Sequence, residues 1–422
     1  MATYYIDNIN GALDSTGLSF DEAVRDYKIL HLLPGDTVLF RCGTEHREPL
    51  VITGGEDGAP ITYGSYGEGT LPVFCVSFDL GRPEYWVKTE RENVWRLAKD
   101  IPTEVGNFIF NTDECTATLR WDKASLAGQG DFFDSRFSEC NKNYGNSVSP
   151  QEVLLYSVGN PAELYTHIEA APYGTRCICS LKSNVVIENL CFMNSGVHAV
   201  TGVGDTKNVT VRGCLFKNIG GCAWDREKRI RFGNAVEFWI GAENILVENN
   251  VFKNVYDSCV THQGPDRQTP PARNFHCRNN LFDTYSMAAF EYRAQMMVAS
   301  SFEGNICRNA GCGFGMLGEQ LPRRSEIWPQ PMGHHIFIWR MFTPPEDGSL
   351  LIANNVFEDS PVGAAVYSII PPEIEAQITF KNNTYSDNCL LVAHFGGKDY
   401  TNKDWSEQIN VERKKESDNI QL

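Results

Sequence analysis

The sequence predicts an all-β fold, a right-handed parallel β-helix in which successive turns of the chain stack as coils of a solenoid. Three observations predict it. A short strand with alternating apolar residues recurs along the chain, most copies end in an asparagine pair, and an aromatic residue usually follows two positions later. Such self-similarity at a period of a few tens of residues is typical of solenoids.

The copies share one pattern and differ mainly in what lies between them. They are VVIENLCFMN at 185–194, VTVRGCLFKN at 209–218, ILVENNVFKN at 245–254, FHCRNNLFDT at 275–284, FEGNICRN at 302–309, LIANNVFED at 351–359 and ITFKNNTYSD at 378–387. Aligned on the aromatic position, their anchors are Phe192, Phe216, Phe252, Phe282, Cys307, Phe357 and Tyr385. The uneven spacing of the anchors predicts bare coils interrupted by insertions.

The pattern fits strands that pair in parallel, one coil above another. Strand residues alternate between the two faces of a sheet, and neighbouring strands lie about 4.8 Å apart. Identical positions of successive coils therefore stack, which predicts a column of aromatic rings inside the solenoid. Asparagine suits the turns because it tolerates left-handed backbone geometry.

These motifs resemble a known family. The ladder, together with YYIDNINGALDSTGLSFDEAV at 4–24, PGDTVLFRCG at 34–43 and APITYGSYGEG at 59–69, is similar to the pectate-lyase-like parallel β-helix superfamily. The closest likeness is to its β-helical glycoside hydrolases of the β-xylosidase, α-fucosidase or xylanase type. The resemblance implies the β-helix fold and suggests action on carbohydrate.

The chain divides into four predicted regions. Residues 1–82 form an N-terminal cap and the first coils, 83–175 an inserted β-rich subdomain, 176–400 the β-helix with the catalytic face, and 401–422 a polar tail. Within the first region, Ser19 and Glu22 form a capping-box pattern that predicts a capping helix over 19–30. The solenoid is then expected to begin near DTVLF at 36–40.

Two carboxylates are predicted to share one outer face of the solenoid. In the strand after each anchor, Val236, Val260 and Phe290 align as inward residues, so the next residues outward are Glu237, Thr261 and Glu291. In the next two coils, the corresponding strands are predicted at CGFGML, residues 312–317, and at AAVYSI, residues 364–369. The two glutamates lie two coils apart, about 10 Å between backbones. Glycosidases use two carboxyl groups, about 5 Å apart for retention and roughly 6.5–9.5 Å for inversion.

A third acid keeps the catalytic pair open. Asp257 lies near the turn of the intervening coil. Resemblance to the β-helical hydrolases implies Asp257 and Glu291 as the pair, whereas the column geometry favours Glu237 and Glu291. All three are therefore candidate catalytic residues.

Other residues of the same flank are candidate substrate contacts. The second outward column contains Trp239, Gln263 and Arg293, of which the tryptophan would stack on a sugar and the arginine would pair with Glu291 or bind substrate. Thr261 lies between the glutamates, and His262 ends its strand with inward parity. Three insertions, at 222–233, 264–273 and about 316–349, are expected to form the walls of a cleft. The last contributes Trp328 and His335.

Composition limits the partners. The formal net charge of -16 argues against general binding to nucleic acid or anionic membranes. Many cysteines fall at strand positions that are expected to be buried, which favours a reducing, cytoplasmic compartment. The first 30 residues show no signal-peptide pattern, and secretion with the signal removed is the alternative. No cofactor or metal motif is recognised, and the sequence leaves homo-oligomerisation open.

The sequence therefore predicts a glycoside hydrolase that cleaves an oligo- or polysaccharide in a cleft on the solenoid flank. One carboxyl would protonate the leaving oxygen, and another would act as nucleophile or activate water. A polysaccharide lyase or uronate epimerase acting on an acidic glycan is the first alternative, which Arg293 and the basic residues at 226–231 favour. A non-catalytic glycan-binding solenoid is the second.

Overall fold

The chain folds as a parallel β-helix, which confirms the predicted fold class. The structure, a computed structural model, describes residues 1–112, 115–136, 151–225, 229–313, 332–343 and 345–410. Three long sheets run along the solenoid, and each complete coil contributes one strand to each of them. Parallel crossovers are right-handed in nearly all proteins, as the prediction assumed.

Sheets 1 and 2 are parallel throughout. Sheet 1 contains ten strands, at Thr3–Ile6, Thr37–Arg41, Ile61–Tyr66, Val185–Glu188, Thr206–Arg212, Ala242–Glu248, Ala272–Arg278, Ser300–Glu303, Leu350–Ala353 and Ile378–Lys381. Sheet 2 contains nine, at Glu45–His46, Val73–Cys75, Cys191–Met193, Leu215–Ile219, Val251–Val255, Leu281–Tyr285, Ile306–Ala310, Val356–Phe357 and Thr384–Tyr385.

Sheet 3 positions the candidate site. Its eight strands are Val200–Val203, Val236–Trp239, Ser258–Gln263, Ala288–Gln295, His334–Thr343, Ala364–Ile369, Leu391–Phe395 and Lys398–Tyr400, of which the last is antiparallel to its neighbour. The prediction that 312–317 supplies the strand after Ala288–Gln295 is wrong, because His334–Thr343 pairs there. The insertion precedes this strand, so the region predicted as an insertion over 316–349 contains a strand of the solenoid itself.

The predicted aromatic column forms the core of sheet 2. All seven predicted anchors are paired in register from coil to coil, and Phe74 extends the column one coil earlier. The ring of Phe252 is fully buried between Phe216 at 5.0 Å and Phe282 at 4.8 Å. Each such ring buries a large apolar area that no single coil could cover alone.

Asparagines form the corner between sheets 1 and 2. Asn249 and Asn279 adopt positive φ of 56° and 55°, which their short polar side chains tolerate. The residues that follow form a buried ladder in which each side-chain oxygen accepts from the backbone N–H of the coil before it; its members are Asn250, Asn280, Asn305, Asn355 and Asn383. These bonds satisfy buried backbone donors at successive corners from Cys214 to Asn355.

The outer face of sheet 1 carries a column of alternating charge. Successive coils place oppositely charged residues in register, in the order Glu188, Arg212, Glu248, Arg278 and Glu303. Arg212 Nε donates to Glu188 at 2.7 Å, and Arg278 Nε donates to Glu248 at 2.9 Å. Opposite charges directly across a strand pair are favourable, and like charges are not.

The N-terminal cap differs from its prediction. In place of one helix over 19–30, the chain makes two 3-10 turns, Phe20–Glu22 and Tyr27–Ile29, and Ser19 forms no side-chain cap. Glu22 instead accepts from the Thr16 hydroxyl at 2.6 Å, which removes the carboxylate that a capping box requires. The solenoid also begins earlier than predicted, because Thr3–Ile6 already pairs with Thr37–Arg41.

Residues between Phe78 and Pro172 build two further sheets beside the solenoid. One contains Phe78–Asp79, Val105–Phe110, Cys115–Thr116 and Ile168–Pro172; the other contains Trp86–Lys88, Val94–Leu97, Thr118–Leu119, Asp131–Asp134 and Val153–Tyr156. They enclose a separate apolar core. Short helical segments lie at Pro83–Tyr85, Lys123–Ser125 and Pro161–Leu164.

The C-terminal end is covered by helical turns. Pro372–Glu375 and Asn402–Trp405 are α-helical, and Ser406–Asn410 forms a π-turn. Trp405 is fully buried and packs on Phe380 at 5.0 Å and Phe395 at 5.7 Å. The first part of the segment predicted as a polar tail thus continues the fold.

Candidate active site

The outward columns of sheet 3 bring the predicted acids together. Glu237 pairs with Thr261, and Thr261 pairs with Glu291, as the alignment of the repeats predicts. In the second column, Trp239 pairs with Gln263, while Arg293 pairs with Trp339 of the next coil. We call Glu237, Asp257 and Glu291 the acid cluster.

Glu237 lies in an environment that favours its neutral form. Burial raises the pKa of Glu237 to about 7, against the lowering effects of the Arg176 and Arg293 charges. Thr201 Oγ1 donates to its Oε2 at 3.3 Å, and Asn234 Nδ2 to its Oε1 at 3.4 Å. Near neutral pH this carboxyl can hold a proton and release it, as a general acid requires.

His198 fixes one side of Glu237. Burial lowers the pKa of His198 to about 3, so its ring is neutral. Nδ1 accepts from the backbone N–H of Asn234 at 3.0 Å, which leaves the proton on Nε2, 3.3 Å from Glu237 Oε2. The ring of Phe232 packs edge-on against His198 at 5.3 Å. Glu237 Oε2 therefore faces two donors, on Thr201 and His198, whereas Oε1 accepts one longer bond from Asn234, so Oε1 is the oxygen better placed to carry the proton.

Glu291 is surrounded by donors. Trp339 Nε1 donates to Oε1 at 2.7 Å, while Gln263 Nε2 at 2.8 Å and the hydroxyls of Ser258 at 3.0 Å and Thr261 at 3.3 Å donate to Oε2. Burial raises the pKa of Glu291, and the charge of Arg293 and the bonds from Trp339 and Ser258 act against that rise. The four donors favour the ionised form of Glu291 against the effect of burial, and the ionised form is the one that acts as base or nucleophile.

Asp257 lies beside both glutamates. Its negative charge contributes to the raised pKa of Glu237 and of Glu291. Its Oδ2 accepts from the backbone N–H of Gly233 at 3.3 Å, at the corner that leads into the strand of Glu237. Asp257 thus favours the protonated forms of both glutamates without standing in the Glu237–Glu291 column.

Arg293 is held between two indole rings. Its guanidinium carbon lies 5.5 Å from the ring centre of Trp239 and 5.2 Å from that of Trp339, and Nη2 donates to Gln263 Oε1. Such cation–π contacts orient the planar group. Gln263 accepts from Arg293 and donates to Glu291, so one amide connects the cation to the carboxylate.

The acids point away from the solenoid and are nevertheless buried. Glu237 and Glu291 are 5% and 1% exposed. A hairpin of Cys222–Asp225 and Ile230–Phe232 rises beside them, and the inserted sheets support it: Glu104 accepts from the backbone of Ala223 at 2.6 Å. This hairpin and the inserted sheets behind it thus form one wall beside the acid cluster, which contributes to the burial that raises its pKa values.

Two predicted contacts lie elsewhere. His262 is fully buried inside the solenoid against Tyr292, on the opposite side of the sheet from the acids. His335 is also in the core, where it bonds Tyr285 and stacks on Phe357 at 5.4 Å, because consecutive residues at the start of its strand face inward. Burial lowers the pKa of both histidines to about 3. His262 thus faces inward, as its parity predicts, and neither histidine lies on the flank as a candidate substrate contact. Trp328 lies outside the described residues.

Sequence reasoning did not assign three contributors to the site. Trp339 would have entered the column of Arg293 if the alternating segment HHIFIWRM at 334–341 had been aligned as the next strand. Ser258 lies at the strand start, where its hydroxyl points along the sheet to Glu291. Arg176 precedes the recognisable repeats, and its bond to Thr201 at 3.2 Å had no signal in the sequence.

The described residues hold neither a group of three or more potential metal ligands nor a helix long and apolar enough to cross a membrane.

Comparison with known proteins supports the fold alone. A scan against protein-family models and a search of curated proteins found no match. Among solved structures the chain is similar to a GH136 lacto-N-biosidase from Eubacterium ramulus, in its native form (TM-score 0.50, 14% identity) and as a selenomethionine derivative (TM-score 0.50, 13% identity). These alignments cover 93% and 94% of this chain but 57% and 62% of those chains. A complex of XylC with xylose aligns with a TM-score of 0.48 and 9% identity over 90% of this chain and 70% of that one.

Proposed function

We propose that the protein is a glycoside hydrolase that cleaves an oligo- or polysaccharide on the outer face of sheet 3. One observation carries the proposal: two carboxyl groups share a walled flank but have different surroundings. Burial raises the pKa of both carboxyls, but the side-chain hydrogen bonds to Glu237 are long, 3.3 and 3.4 Å, whereas Glu291 accepts from four donors, the nearest at 2.7 and 2.8 Å. Pairs of acids whose environments separate their roles are what acid–base catalysis at a glycosidic bond requires.

The bond-breaking step follows from these positions. Glu237 Oε1 gives its proton to the glycosidic oxygen as the bond to the anomeric carbon breaks, and the leaving sugar departs as an alcohol. The carboxylate of Glu291 either takes a proton from the water that attacks this carbon or attacks it directly. In the second case water later hydrolyses the ester, with Glu237 now accepting the proton. Asp257 acts on the pKa of both groups, so the column pair is preferred over a pair that includes Asp257.

Spacing bears on the stereochemistry. The glutamates lie two coils apart, about 10 Å between backbones, with Thr261 between them. That backbone separation suits the wider carboxyl spacing of inverting enzymes better than the 5 Å of retaining ones. Proton NMR of the first product released, before mutarotation, would identify the anomer.

The test is a screen of the full chain against plant and host glycans, with products measured by mass spectrometry. The wild type should release sugars from at least one glycan, and Glu237→Gln and Glu291→Gln should each lower the rate by roughly 10²–10⁴-fold. Glu243→Gln is the matched control, because Glu243 is an exposed glutamate paired with Lys207 on sheet 1. Hydrolysis that survives both active-site substitutions would contradict the proposal.

A lyase acting on an acidic glycan is the second candidate, and one observation favours it. Within the described part of the chain, Arg293 forms no ion pair, so its charge is available for a substrate carboxylate. A lyase leaves an unsaturated uronide that absorbs in the ultraviolet, whereas a hydrolase adds water. Ultraviolet absorbance that increases as the products accumulate would favour the lyase. Cytoplasmic location stays a prediction.

A further inference from the structure

Two consecutive hydrogen bonds connect Arg176 to Glu237. Arg176 Nε donates to Thr201 Oγ1 at 3.2 Å, and Thr201 Oγ1 donates to Glu237 Oε2 at 3.3 Å. A guanidinium group can only donate, whereas a hydroxyl group has one proton and can also accept. The hydroxyl of Thr201 therefore accepts from Arg176 on one side, and its single proton is directed to Glu237 on the other.

The backbone on both sides of Arg176 is fixed by the solenoid. The carbonyl of Thr175 accepts from the hydroxyl of Ser195 at 2.7 Å, and the carbonyl of Cys177 accepts from the backbone N–H of Leu50 at 2.8 Å. The side chain of Arg176 is partly exposed, but it starts from this fixed position. Such support allows one donor to be aimed at one hydroxyl group.

Glu291 has a corresponding connection to an arginine. Arg293 Nη2 donates to Gln263 Oε1, and Gln263 Nε2 donates to Glu291 Oε2 at 2.8 Å. Among the residues that the structure describes, no arginine bonds directly to Glu237 or Glu291. The amide bond to Glu291 is shorter than the 3.3 Å hydroxyl bond to Glu237, which agrees with an ionised Glu291 beside a Glu237 that holds a proton.

The charge of Arg176 also acts on Glu237. In the described part of the chain, the charged and titratable groups around this carboxyl are Arg176, Arg293, Asp257 and His198. Burial raises the pKa of Glu237, and among the remaining effects the charge of Arg176 is the largest and lowers it. Arg293 lowers this pKa further, while Asp257 raises it. Burial lowers the pKa of His198, and the charge of Arg176 adds to that effect, which keeps the ring neutral.

We propose that Arg176 is a positioning residue for the acid: through Thr201 it directs a donor onto Glu237 Oε2, so that the catalytic proton is carried on Oε1. This inference rests on the proposed function for the role of Glu237 as the acid. Without Arg176, the hydroxyl of Thr201 is free to turn and accept a proton from Oε2, which would leave the proton on the other oxygen. The loss of the positive charge should also keep Glu237 protonated to higher pH.

The experiment measures the pKa of Glu237 by carbon-13 NMR of glutamate-labelled protein, with the signal assigned from Glu237→Gln. In Arg176→Met this pKa should rise by about one unit, and the alkaline limb of kcat/KM should move up by the same amount. Arg176→Lys keeps the charge and should reverse most of the shift. Arg212→Met is the matched control, because Arg212 also donates through Nε, to Glu188 on the outer face of sheet 1, and it should leave the pKa of Glu237 unchanged.

A double variant, Arg176→Met with Thr201→Val, tests the connection through the hydroxyl. Because both single substitutions break the same connection, the shift in the double variant should be smaller than the sum of the two single shifts. Strictly additive shifts, or a pKa of Glu237 that does not move in Arg176→Met, would overturn the inference. If these shifts occur in a protein that cleaves no glycan, they support Arg176 as the residue that positions this carboxyl and contradict only the proposed function.

Discussion

The hydrogen bond from Thr201 to Glu237 offers a sharp test of the proposed acid. Replacing Thr201 with valine removes the hydroxyl and keeps the shape of the side chain. The donor stabilises the ionised carboxylate, so its loss makes Glu237 a weaker acid. If protonated Glu237 is required, activity should persist to higher pH in the variant.

The size of the shift follows from the geometry. The bond is 3.3 Å long and reaches Glu237 Oε2, which His198 also contacts. A hydrogen bond of this kind contributes about 1 kcal/mol, and one pKa unit corresponds to about 1.4 kcal/mol. The alkaline limb of the rate profile, expected near pH 7 from the pKa of Glu237, should therefore move up by about 0.7 unit.

The assay is kcat/KM between pH 4 and 10 on a substrate found in the glycan screen. Thr201→Ser keeps the donor and serves as the control, with its alkaline limb at the wild-type position. An alkaline limb that stays in place in Thr201→Val, or moves to lower pH, would refute the assignment of Glu237 as the acid.

Two further predictions concern neighbours of the glutamates, and a third concerns the solenoid core. Asp257→Asn removes a charge that raises the pKa of Glu237, so the alkaline limb should move to lower pH while catalysis persists; a loss of roughly a hundredfold or more without that shift would place Asp257 in the catalytic pair. Trp339→Phe keeps the ring but removes the donor to Glu291, and kcat/KM should fall roughly 10- to 100-fold, with an unchanged rate counting against Glu291 as base or nucleophile. Phe252→Ala should lower the free energy of unfolding by about 3–5 kcal/mol in urea titrations, since it empties a fully buried position in the aromatic column; a loss under about 1 kcal/mol would show that the column does not hold adjacent coils together.

The repeat made the core predictable and left the surface less so. Phe216, Phe252 and Phe282 could be placed in one column because the same strand recurs from coil to coil. The parity of the strand that follows each anchor put Glu237 and Glu291 on one flank. Parity says which side of a sheet a residue faces, but not what covers it. The burial that raises the pKa of Glu237 depends on the inserted sheets and the hairpin, whose sequences do not repeat.

Two errors have local physical causes. The strand His334–Thr343 was misaligned because an insertion stands before it, where the shorter coils continue directly into their third strand. The helix over 19–30 was predicted from the spacing of Ser19 and Glu22, but Val24 and Tyr27 are drawn into the end of the solenoid core. Burial of these side chains against the first coils outweighs the weak preference of a short segment for a helix.

The charge column on sheet 1 constrains how this solenoid can change length. Removing the single coil that contains Arg212 would set Glu188 directly against Glu248, while removing two successive coils would restore opposite neighbours. Because like charges across a strand pair are unfavourable, coils are expected to be gained or lost in pairs. Deletion variants that lack an odd number of coils should therefore have a lower free energy of unfolding than those that lack an even number.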